Sequence, residues 1–310
     1  MKGIAFAPGS IGNVGPGFDV LGLAFGGAGV RVEVELIDGD APPLVVTGRD
    51  AELIPTDPAK NAAAIAAVSM LRRLGNRSSI AVKLHGSLPV AGGMGASGAS
   101  SVAGAYAAAL ASEGPVPAQQ VILAALDGES AVAGRHLDNI APSVLGGLVL
   151  SRSLEPLDVV SLDIAADWYI TLITPAVRIE TKHARGLLPA RSDRSEWIAE
   201  MGNAIGVTVA FARGDGDLLR RSLEDVYAEP RRASLIPHFY DVRTAALDAG
   251  ALGCSISGSG PTVFAIAEDE KSAERVAREM QSAFGEIEST AHVGPIDREG
   301  ARRIEPGDGS

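Results

Sequence analysis

One glycine-rich segment, "PVAGGMGASGAS" from Pro89 to Ser100, constrains the fold of this 310-residue chain more than any other. It follows "SIAVKLHG", whose alternating pattern predicts a β-strand, and it leads into "ASSVAGAYAAALA", whose small residues predict a helix. Glycines let backbone amides approach an anion closely, and the helix N-terminus adds a partial positive charge. The segment therefore predicts a phosphate site, with a tight structural turn as the alternative.

Within this segment, Gly93 to Gly98 match the pattern Gly-x-Gly-x-x-Gly. A dinucleotide-binding fold would place that pattern after its first strand, with an acidic residue at a strand end about 20 positions later. Here the loop follows several other elements, and "EGPVPAQQ" at 113–120 is not a strand end. The chain also lacks the Val-Ala-Ile-Lys, His-Arg-Asp and Asp-Phe-Gly motifs of protein kinases and any Gly-Lys-Ser/Thr P-loop. Neither a dinucleotide-binding fold nor a protein kinase therefore explains the match to Gly-x-Gly-x-x-Gly.

Composition narrows the class of protein. The chain is 46% hydrophobic but only 4% aromatic, so small aliphatic residues must fill its cores. A net charge of −11 argues against a nucleic-acid binder. Cys254 is the single cysteine, the five histidines show no paired ligand spacing, and no apolar run of about 20 residues is present. These features predict a cytoplasmic protein with no disulfide, no zinc site and no membrane span.

The remaining patterns predict mixed α and β structure. "DPAKNAAAIAAVSMLRRLG" indicates a helix capped by Asp57, and "SEWIAEMGNAIGVTVAFARG" places Trp197, Met201 and Ile205 at helical spacing. "APSVLGGLVLS" indicates a strand, and "DEKSAERVAREMQSAFG" indicates an amphipathic helix. The length favours two domains, which we assign to residues 1–153 and 154–310.

Two further glycine-rich stretches accompany the loop, "APGSIGNVGPGFDVLGLAF" from Ala7 and "SISGSGPTVFAI" from Ser255. In order and spacing, the three stretches resemble the three motifs of the GHMP kinases. The segments "NVGPGFD", "HLDNIAPSVLGG", "TKHARGLLP" and "EPRRASLIP" are most similar to the homoserine kinase branch of that family. The resemblance covers about residues 4–304. It implies a two-domain α+β fold, with the loop in an N-terminal α/β domain and a ferredoxin-like C-terminal domain.

The resemblance also implies an activity. Members of that branch use ATP and Mg²⁺ to phosphorylate the side-chain hydroxyl of L-homoserine on the route to threonine, and a homodimer is expected. One alternative is a sister small-molecule kinase acting on threonine, mevalonate or another alcohol. A second alternative is a catalytically inactive relative that senses a ligand.

For the nucleotide, the resemblance implies that the loop cradles the triphosphate. Ser97 and Glu129 match the family's Mg²⁺ ligands, with Asp127 as the rival carboxylate, and Ala96 stands where the family usually has a serine. The implied ATP-binding residues are Pro89, Val90, Ala91, Gly92, Gly93, Met94, Gly95, Ala96, Ser97, Gly98, Ala99 and Ser100.

For the acceptor, the family pocket maps onto seven polar residues. Asp19 and Asp138 have the charge to bind an ammonium, and arginine offers a planar fork of donors to a carboxylate. Asn139 stands where other branches have an aspartate, and an amide cannot act as a general base. The implied acceptor residues are Asn13, Asp19, His136, Asp138, Asn139, Arg185 and Arg232, and the implied catalytic residues are Asn13, Asp19, Glu129, Asn139 and Arg185.

Overall fold

The computed structural model describes residues 1–114 and 116–305 of the chain, which form two β-sheets with helices packed on them. The strands are β1 Lys2–Gly12, β2 Leu21–Ile37, β3 Val45–Gly48, β4 Ser79–Gly86, β5 Leu148–Ser153, β6 Asp158–Leu162, β7 Tyr169–Pro175, β8 Gly253–Ile256, β9 Val263–Ala267, β10 Ser289–Pro295 and β11 Arg302–Arg303. The helices are α1 Ala62–Arg73, α2 Ala96–Ala111, α3 Ala118–Val132, α4 Ile140–Leu145, α5 Thr181–Gly186, α6 Arg194–Arg213, α7 Gly216–Ser222, α8 Glu229–Arg232, α9 Phe239–Asp248 and α10 Glu270–Ala283.

The first sheet is organised around the long strand β2. One edge of β2 pairs with β1 along most of its length, and β11 returns from the far end of the chain to pair with β1. The other edge pairs with β4 from Val30 onward and with β5 near Leu21, so β2 carries two partners in succession. The outer strands are β3, parallel to β4, and β6, antiparallel to β5.

Small residues allow the helices of this domain to pack very closely. Helix α2 lies on β1 and β2, and α1 and α3 pack against α2. A Cβ on Gly104 would lie 2.3 Å from the carbonyl oxygen of Ala63, and one on Gly3 would lie 2.1 Å from that of Ala107. Because only glycine fits at such contacts, the Ala- and Gly-rich composition is a packing requirement of this layer.

The second sheet has the strand order β10-β7-β9-β8, with every neighbouring pair antiparallel. In chain order these elements read β-α-β-β-α-β, which is the ferredoxin-like arrangement that the resemblance implied. The sheet is buried on both faces: Phe264 and Ile266 join the core shared with the first sheet. Val263 and Ala265 contribute to a second core beneath α9 and α10.

Most of the predicted elements are present, with local corrections. Helix α1 is capped by Asn61, whose side chain accepts from the amides of Ala63 and Ala64, so the prediction of Asp57 as the cap is wrong. The amide of Ala59 donates to Asp57 instead. The segment predicted as a strand at "APSVLGGLVLS" begins as the end of α4 and becomes β5 at Leu148.

Helix α6 forms, but its apolar stripe faces solvent. Trp197 is 57% exposed and Ile205 is also 57% exposed, whereas Val207, Ala210 and Phe211 are buried. Helical spacing therefore identified the helix without identifying its buried face.

The chain passes from the first sheet to the second between Leu162 and Tyr169, since β6 still pairs with β5. The predicted boundary between residues 153 and 154 stays a prediction, and the last five residues of the predicted second domain, 306–310, lie outside the described residues. Across residues 1–114 and 116–305, no helix has the length and hydropathy needed to cross a membrane.

Candidate active site

A cleft between the two sheets brings together residues from both halves of the chain, and its cavity has a volume of about 260 Å³. Polar and glycine-rich segments line one part of it. An apolar wall of Leu53, Ile54, Pro55, Leu84 and Val132 lines another.

The predicted phosphate loop lies at the start of α2 and faces this cleft. Gly95 immediately precedes the helix with φ of 69°, a left-handed conformation that favours glycine. A Cβ at Gly95 would lie 2.3 Å from Ser10 Oγ and 3.0 Å from Asn139 Oδ1. The loop glycine therefore has a packing role as well as its predicted role toward phosphate.

The three glycine-rich stretches meet beside the cleft through hydrogen bonds. Ser257 Oγ donates to the carbonyl of Gly93 at 2.6 Å, and the amide of Gly258 donates to the carbonyl of Gly12 at 3.1 Å. Asn13 Nδ2 in turn donates to the carbonyl of Gly258 at 3.0 Å. The three stretches thus form one continuous structure, although about 245 residues separate the first from the third.

The two predicted metal ligands are adjacent. Ser97 Oγ donates to Glu129 Oε1 at 2.8 Å, and Glu129 Oε2 is buried with no hydrogen-bond partner in the described part of the chain. Burial raises the pKa of Glu129 to about 7, with the hydrogen bond from Ser97 opposing the shift and the nearby charge of Asp138 adding to it. A cation here would supply the missing partner of a buried carboxylate, so the pair fits Mg²⁺ with water and phosphate oxygens as further ligands.

Two observations bear on the choice of carboxylate. Asp127 pairs with Arg73, whose Nη2 lies 3.0 Å from Asp127 Oδ2, and its side chain is 45% exposed outside the cleft. Glu129 lines the cleft. Among the described residues no cluster of three or more His, Cys, Asp or Glu side chains is placed to hold a metal.

In the predicted acceptor pocket, Asp19 and Arg185 form a bidentate pair. Arg185 Nη1 and Nη2 donate to the two carboxylate oxygens of Asp19 at 2.9 and 2.7 Å. Asp19 raises the pKa of Arg185, first through these hydrogen bonds and then through its charge. His136 lies beside them, and its pKa is lowered by burial and by the positive charge of Arg185.

The segment carrying Asp19 is conformationally unusual. Asn13, Val14 and Asp19 all have positive φ without being glycine. The side chain of Asn13 stabilises the turn, because its Oδ1 accepts from the amide of Asp19 at 3.0 Å. Such backbone strain is concentrated at functional segments, where surrounding contacts hold it in place.

Asp138 and Asn139 enter the cleft from the start of α4. Asp138 is 4% exposed, and no described residue forms a hydrogen bond with its Oδ1. Burial raises the pKa of Asp138 to about 7, and the charge of Asp19 contributes in the same direction. Asn139 Oδ1 accepts from Ser10 Oγ at 3.0 Å, which fixes the amide beside the phosphate loop.

Arg232 is a buried cation with no acidic partner among the residues that the structure describes. It is 3% exposed, its Nη1 donates to the carbonyl of Gly258 at 2.9 Å, and its Nε is unsatisfied. Burial lowers the pKa of Arg232, and the positive charge of Arg185 lowers it further. Because a buried guanidinium is costly unless it is paired, this position favours an incoming anion.

Nearly all residues implied by the resemblance line the cleft. All seven acceptor residues do so, as do Glu129 and most of the loop. Met94, Gly98 and Ala99 do not: Met94 and Ala99 are core residues, and Gly98 packs against Asn139.

The apolar wall also lines the cleft, as do Lys60, Thr181 and Ser259, and none of these residues was predicted from the sequence to belong to the site. Thr181 and Ser259 are 3.3 Å apart between their hydroxyl oxygens, at the rim of the third glycine turn. Thr181 lies in "TKHARGLLP" and Ser259 lies in "SISGSGPTVFAI", so these two stretches were the signal that could have identified them. Isolated apolar residues such as Leu53 carried no such signal.

Two family models match the chain. One describes the N-terminal domain of GHMP kinases, at residues 61–147, and the other describes their C-terminal domain, at residues 207–286. The chain is 39% identical to a homoserine kinase of Chloroherpeton thalassium, over 96% of this chain and 98% of that one. It is 37% identical to a homoserine kinase of Arabidopsis thaliana, over 96% of this chain and 84% of that one.

A solved structure extends the match to three dimensions. The crystal structure of a homoserine kinase from Cytophaga hutchinsonii superposes with a TM-score of 0.91 at 38% identity, covering 98% of this chain and 97% of that one. A mevalonate kinase from Leishmania major, at 15% identity and a TM-score of 0.70, shares the fold alone.

Proposed function

We propose that this chain, which belongs to the GHMP kinase family, is a homoserine kinase that transfers the γ-phosphoryl group of ATP to the side-chain hydroxyl of L-homoserine. The products are ADP and O-phospho-L-homoserine, the latter on the route to threonine. The homoserine oxygen forms a bond to the γ-phosphorus, and the bond from that phosphorus to the ADP oxygen breaks.

The observation that favours an α-amino acid over mevalonate as the acceptor is the charge pattern of the cleft. Among the described residues, Arg232 offers a buried guanidinium without an acidic partner, and Asp138 offers a buried carboxyl group with one oxygen that has no hydrogen-bond partner. An α-amino acid presents a carboxylate and an ammonium, so it complements both groups at once. Mevalonate has a carboxylate but no ammonium and would leave Asp138 unpaired, which costs free energy in a buried site.

The phosphate end of the reaction rests on backbone and on two side chains. The loop from Pro89 to Ser100 offers amides at the N-terminus of α2 to the triphosphate. Ser97 and Glu129 would hold Mg²⁺, which when bound neutralises charge on the transferring phosphoryl group. Ala96 has no hydroxyl to add, so this contact set is smaller than the resemblance leads one to expect.

Asn139 would position the acceptor hydroxyl and would not abstract its proton. Its amide cannot take a proton at neutral pH, and its Oδ1 already accepts from Ser10. We assign it to orienting the acceptor hydroxyl beside the phosphate loop, with the proton passing to a phosphoryl oxygen or to water. Phosphoryl transfer tolerates this, because catalysis there depends mainly on alignment and charge stabilisation.

ADP release in a panel of acceptors tests the proposal. With ATP and Mg²⁺, homoserine is expected to give the highest kcat/KM among homoserine, threonine, serine and mevalonate. A higher kcat/KM for another acceptor would favour a sister kinase. No release with any of them, from protein that still binds ATP, would favour the ligand sensor.

The homodimer that the resemblance implies and the cytoplasmic location that the composition predicts both stay predictions. Light scattering of the purified protein tests the first, and fractionation of cells tests the second.

A further inference from the structure

One aromatic ring lies against both arginines of the acceptor pocket. The Cζ atom of Arg185 lies 5.5 Å from the centroid of the Phe18 ring, and the Cζ atom of Arg232 lies 5.4 Å from the same centroid. Both distances are within the range of a cation–π attraction, in which the negative ring face stabilises a guanidinium. Phe18 is absent from the described residues that line the cleft, so it would act through the arginines and not on the acceptor itself.

The ring addresses a specific electrostatic problem. Two guanidiniums directed into one pocket repel each other, and within residues 1–114 and 116–305 only Arg185 of the two has a carboxylate partner, Asp19. Arg232 has the carbonyl of Gly258 and the ring of Phe18. An aromatic face stabilises positive charge without supplying a negative charge, so it leaves Arg232 free to bind an anion.

The ring is itself held in place. Tyr227 meets Phe18 edge to face, with centroids 5.5 Å apart and an interplanar angle of 78°. The hydroxyl of Tyr227 donates to the carbonyl of Pro189 at 2.8 Å, and the amide of Tyr227 donates to Asp225 Oδ1 at 2.8 Å. Asp225 also accepts from the amide of Glu229, where α8 begins. Phe18 is therefore braced by the segment that leads into the helix carrying Arg232.

We propose that Phe18 is a positioning and specificity residue, whose ring face holds the guanidiniums of Arg185 and Arg232 in an arrangement that selects acceptors bearing a carboxylate. The inference rests on the proposed function and deepens it. Without the ring, the two guanidiniums would separate or reorient, and the preference for a carboxylate-bearing acceptor would weaken.

The first test compares Phe18→Leu, which removes the ring, with Phe18→Tyr, which keeps it. Phe18→Leu is expected to raise KM for homoserine about tenfold while kcat falls less than about threefold and KM for ATP changes less than about twofold. Phe18→Tyr is expected to stay within about threefold of wild type on every constant. A KM for homoserine within about twofold of wild type in Phe18→Leu, or equal losses in both variants, would overturn the proposal.

A ligand pair isolates the carboxylate. 3-Aminopropan-1-ol is homoserine without its carboxylate, and L-2-aminobutyrate is homoserine without its hydroxyl. As inhibitors of homoserine phosphorylation, aminobutyrate is expected to lose affinity in Phe18→Leu by the same factor as homoserine, whereas aminopropanol is expected to keep its wild-type inhibition constant. Equal weakening of both ligands would indicate a general structural role and overturn the selectivity claim.

A second replacement protects the test against a Leu variant that fails to fold. Incorporation of 3,4,5-trifluorophenylalanine at position 18 keeps the shape of the ring nearly unchanged and withdraws charge from its face. KM for homoserine is expected to rise about threefold, and an unchanged KM would contradict the cation–π role. Wild-type protein that releases no ADP with homoserine would remove the proposed function and this inference together. An active wild type with an unaffected fluorinated variant would remove only the inference.

Discussion

The two halves of the cleft differ in chemistry: backbone dominates the half proposed to bind the nucleotide, and charged side chains dominate the half proposed to bind the acceptor. The nucleotide half is built on Pro89–Ser100, a segment without a single Asp, Glu, Lys or Arg, so backbone amides and a helix N-terminus carry its polarity. The acceptor half depends on charged side chains, Asp19, Asp138, Arg185 and Arg232, which come from four separate segments. Glu129 lies where the two halves meet, within the electrostatic reach of Asp138.

This difference has consequences for tolerance to substitution. A site built from backbone loses little affinity when one flanking side chain changes, because the amides remain. A pocket built from charged side chains loses much affinity, because each removed group leaves a buried counterpart unpaired. Side-chain substitutions should therefore be costly in the acceptor half and at Glu129, and mild along the apolar wall of the cleft.

The largest effect is expected at the junction of the halves. Glu129→Gln should lower kcat by roughly 10³-fold, because it removes the charged ligand of a hard cation. Melting temperature should stay equal or rise, since the neutral amide avoids burying a carboxylate and can still accept from Ser97. The matched control is Asp127→Asn, which breaks an exposed pair with Arg73 and should leave turnover near wild type. The reverse pattern of activities would identify Asp127 as the metal ligand.

The next effect is expected at Arg232. Arg232→Leu should cost about 2–5 kcal/mol in kcat/KM for homoserine, or at least about thirtyfold, because the substrate carboxylate loses its buried partner. KM for ATP should change little. Arg232→Lys should recover only part of the loss, since an ammonium keeps the charge but not the planar fork. A stable leucine variant with wild-type homoserine kinetics would remove Arg232 from the acceptor site.

A smaller, graded effect is expected from pH. The acceptor's ammonium needs ionised Asp138, whose pKa is about 7, so kcat/KM for homoserine at saturating ATP and Mg²⁺ should fall about tenfold per unit below pH 7. An apparent pKa near 4 in that profile would contradict the assignment.

The same shifts predict a direction for stability. The folded-state pKa values of Asp138 and Glu129 are raised from ordinary values of 3.8 and 4.5, so burial costs more as these groups ionise. The free energy of unfolding of the ligand-free protein should therefore decline as pH rises from about 4 to about 7 and level off above that, once both groups are ionised in the folded state. Thermal melting between about pH 5 and 7 should show a shallower decline in Glu129→Gln than in wild type.

The smallest effect is expected at the apolar wall of the cleft. Val132 lines the cleft but is 49% exposed, and Val132→Ala removes two methyl groups without unpairing any polar atom. KM for ATP should rise only about two- to threefold, with KM for homoserine unchanged. A change larger than that seen in Arg232→Leu would reverse the comparison between the two halves.

Sequence patterns predicted which helices and strands form better than they predicted which faces of those elements are buried. The amphipathic pattern of α10 identified both the helix and its buried face, because Ala273, Val276 and Met280 are core residues. In α6 the same reasoning found the helix, yet Trp197 and Ile205 are exposed. Periodicity reports that apolar residues share a face, but it does not report whether another element covers that face.

For the site, the sequence by itself determined the part that comes from one continuous segment of the chain. The loop, its glycines and the following helix N-terminus are neighbours in the chain, so local pattern and turn chemistry were sufficient to predict the loop and helix that the structure shows, while their binding of phosphate stays a prediction. The motif resemblance added the acceptor residues by position, without stating their contacts.

Tertiary structure alone decided which groups meet and which remain unpaired. Arg185 pairs with Asp19 across 166 residues, whereas Arg232 contacts the carbonyl of Gly258 and the ring of Phe18. Asp127 pairs with Arg73, and Glu129, two residues later, is buried in the cleft. The physical reason is that burial and charge pairing depend on distances between segments far apart in the chain, and these distances are set only when both sheets have packed.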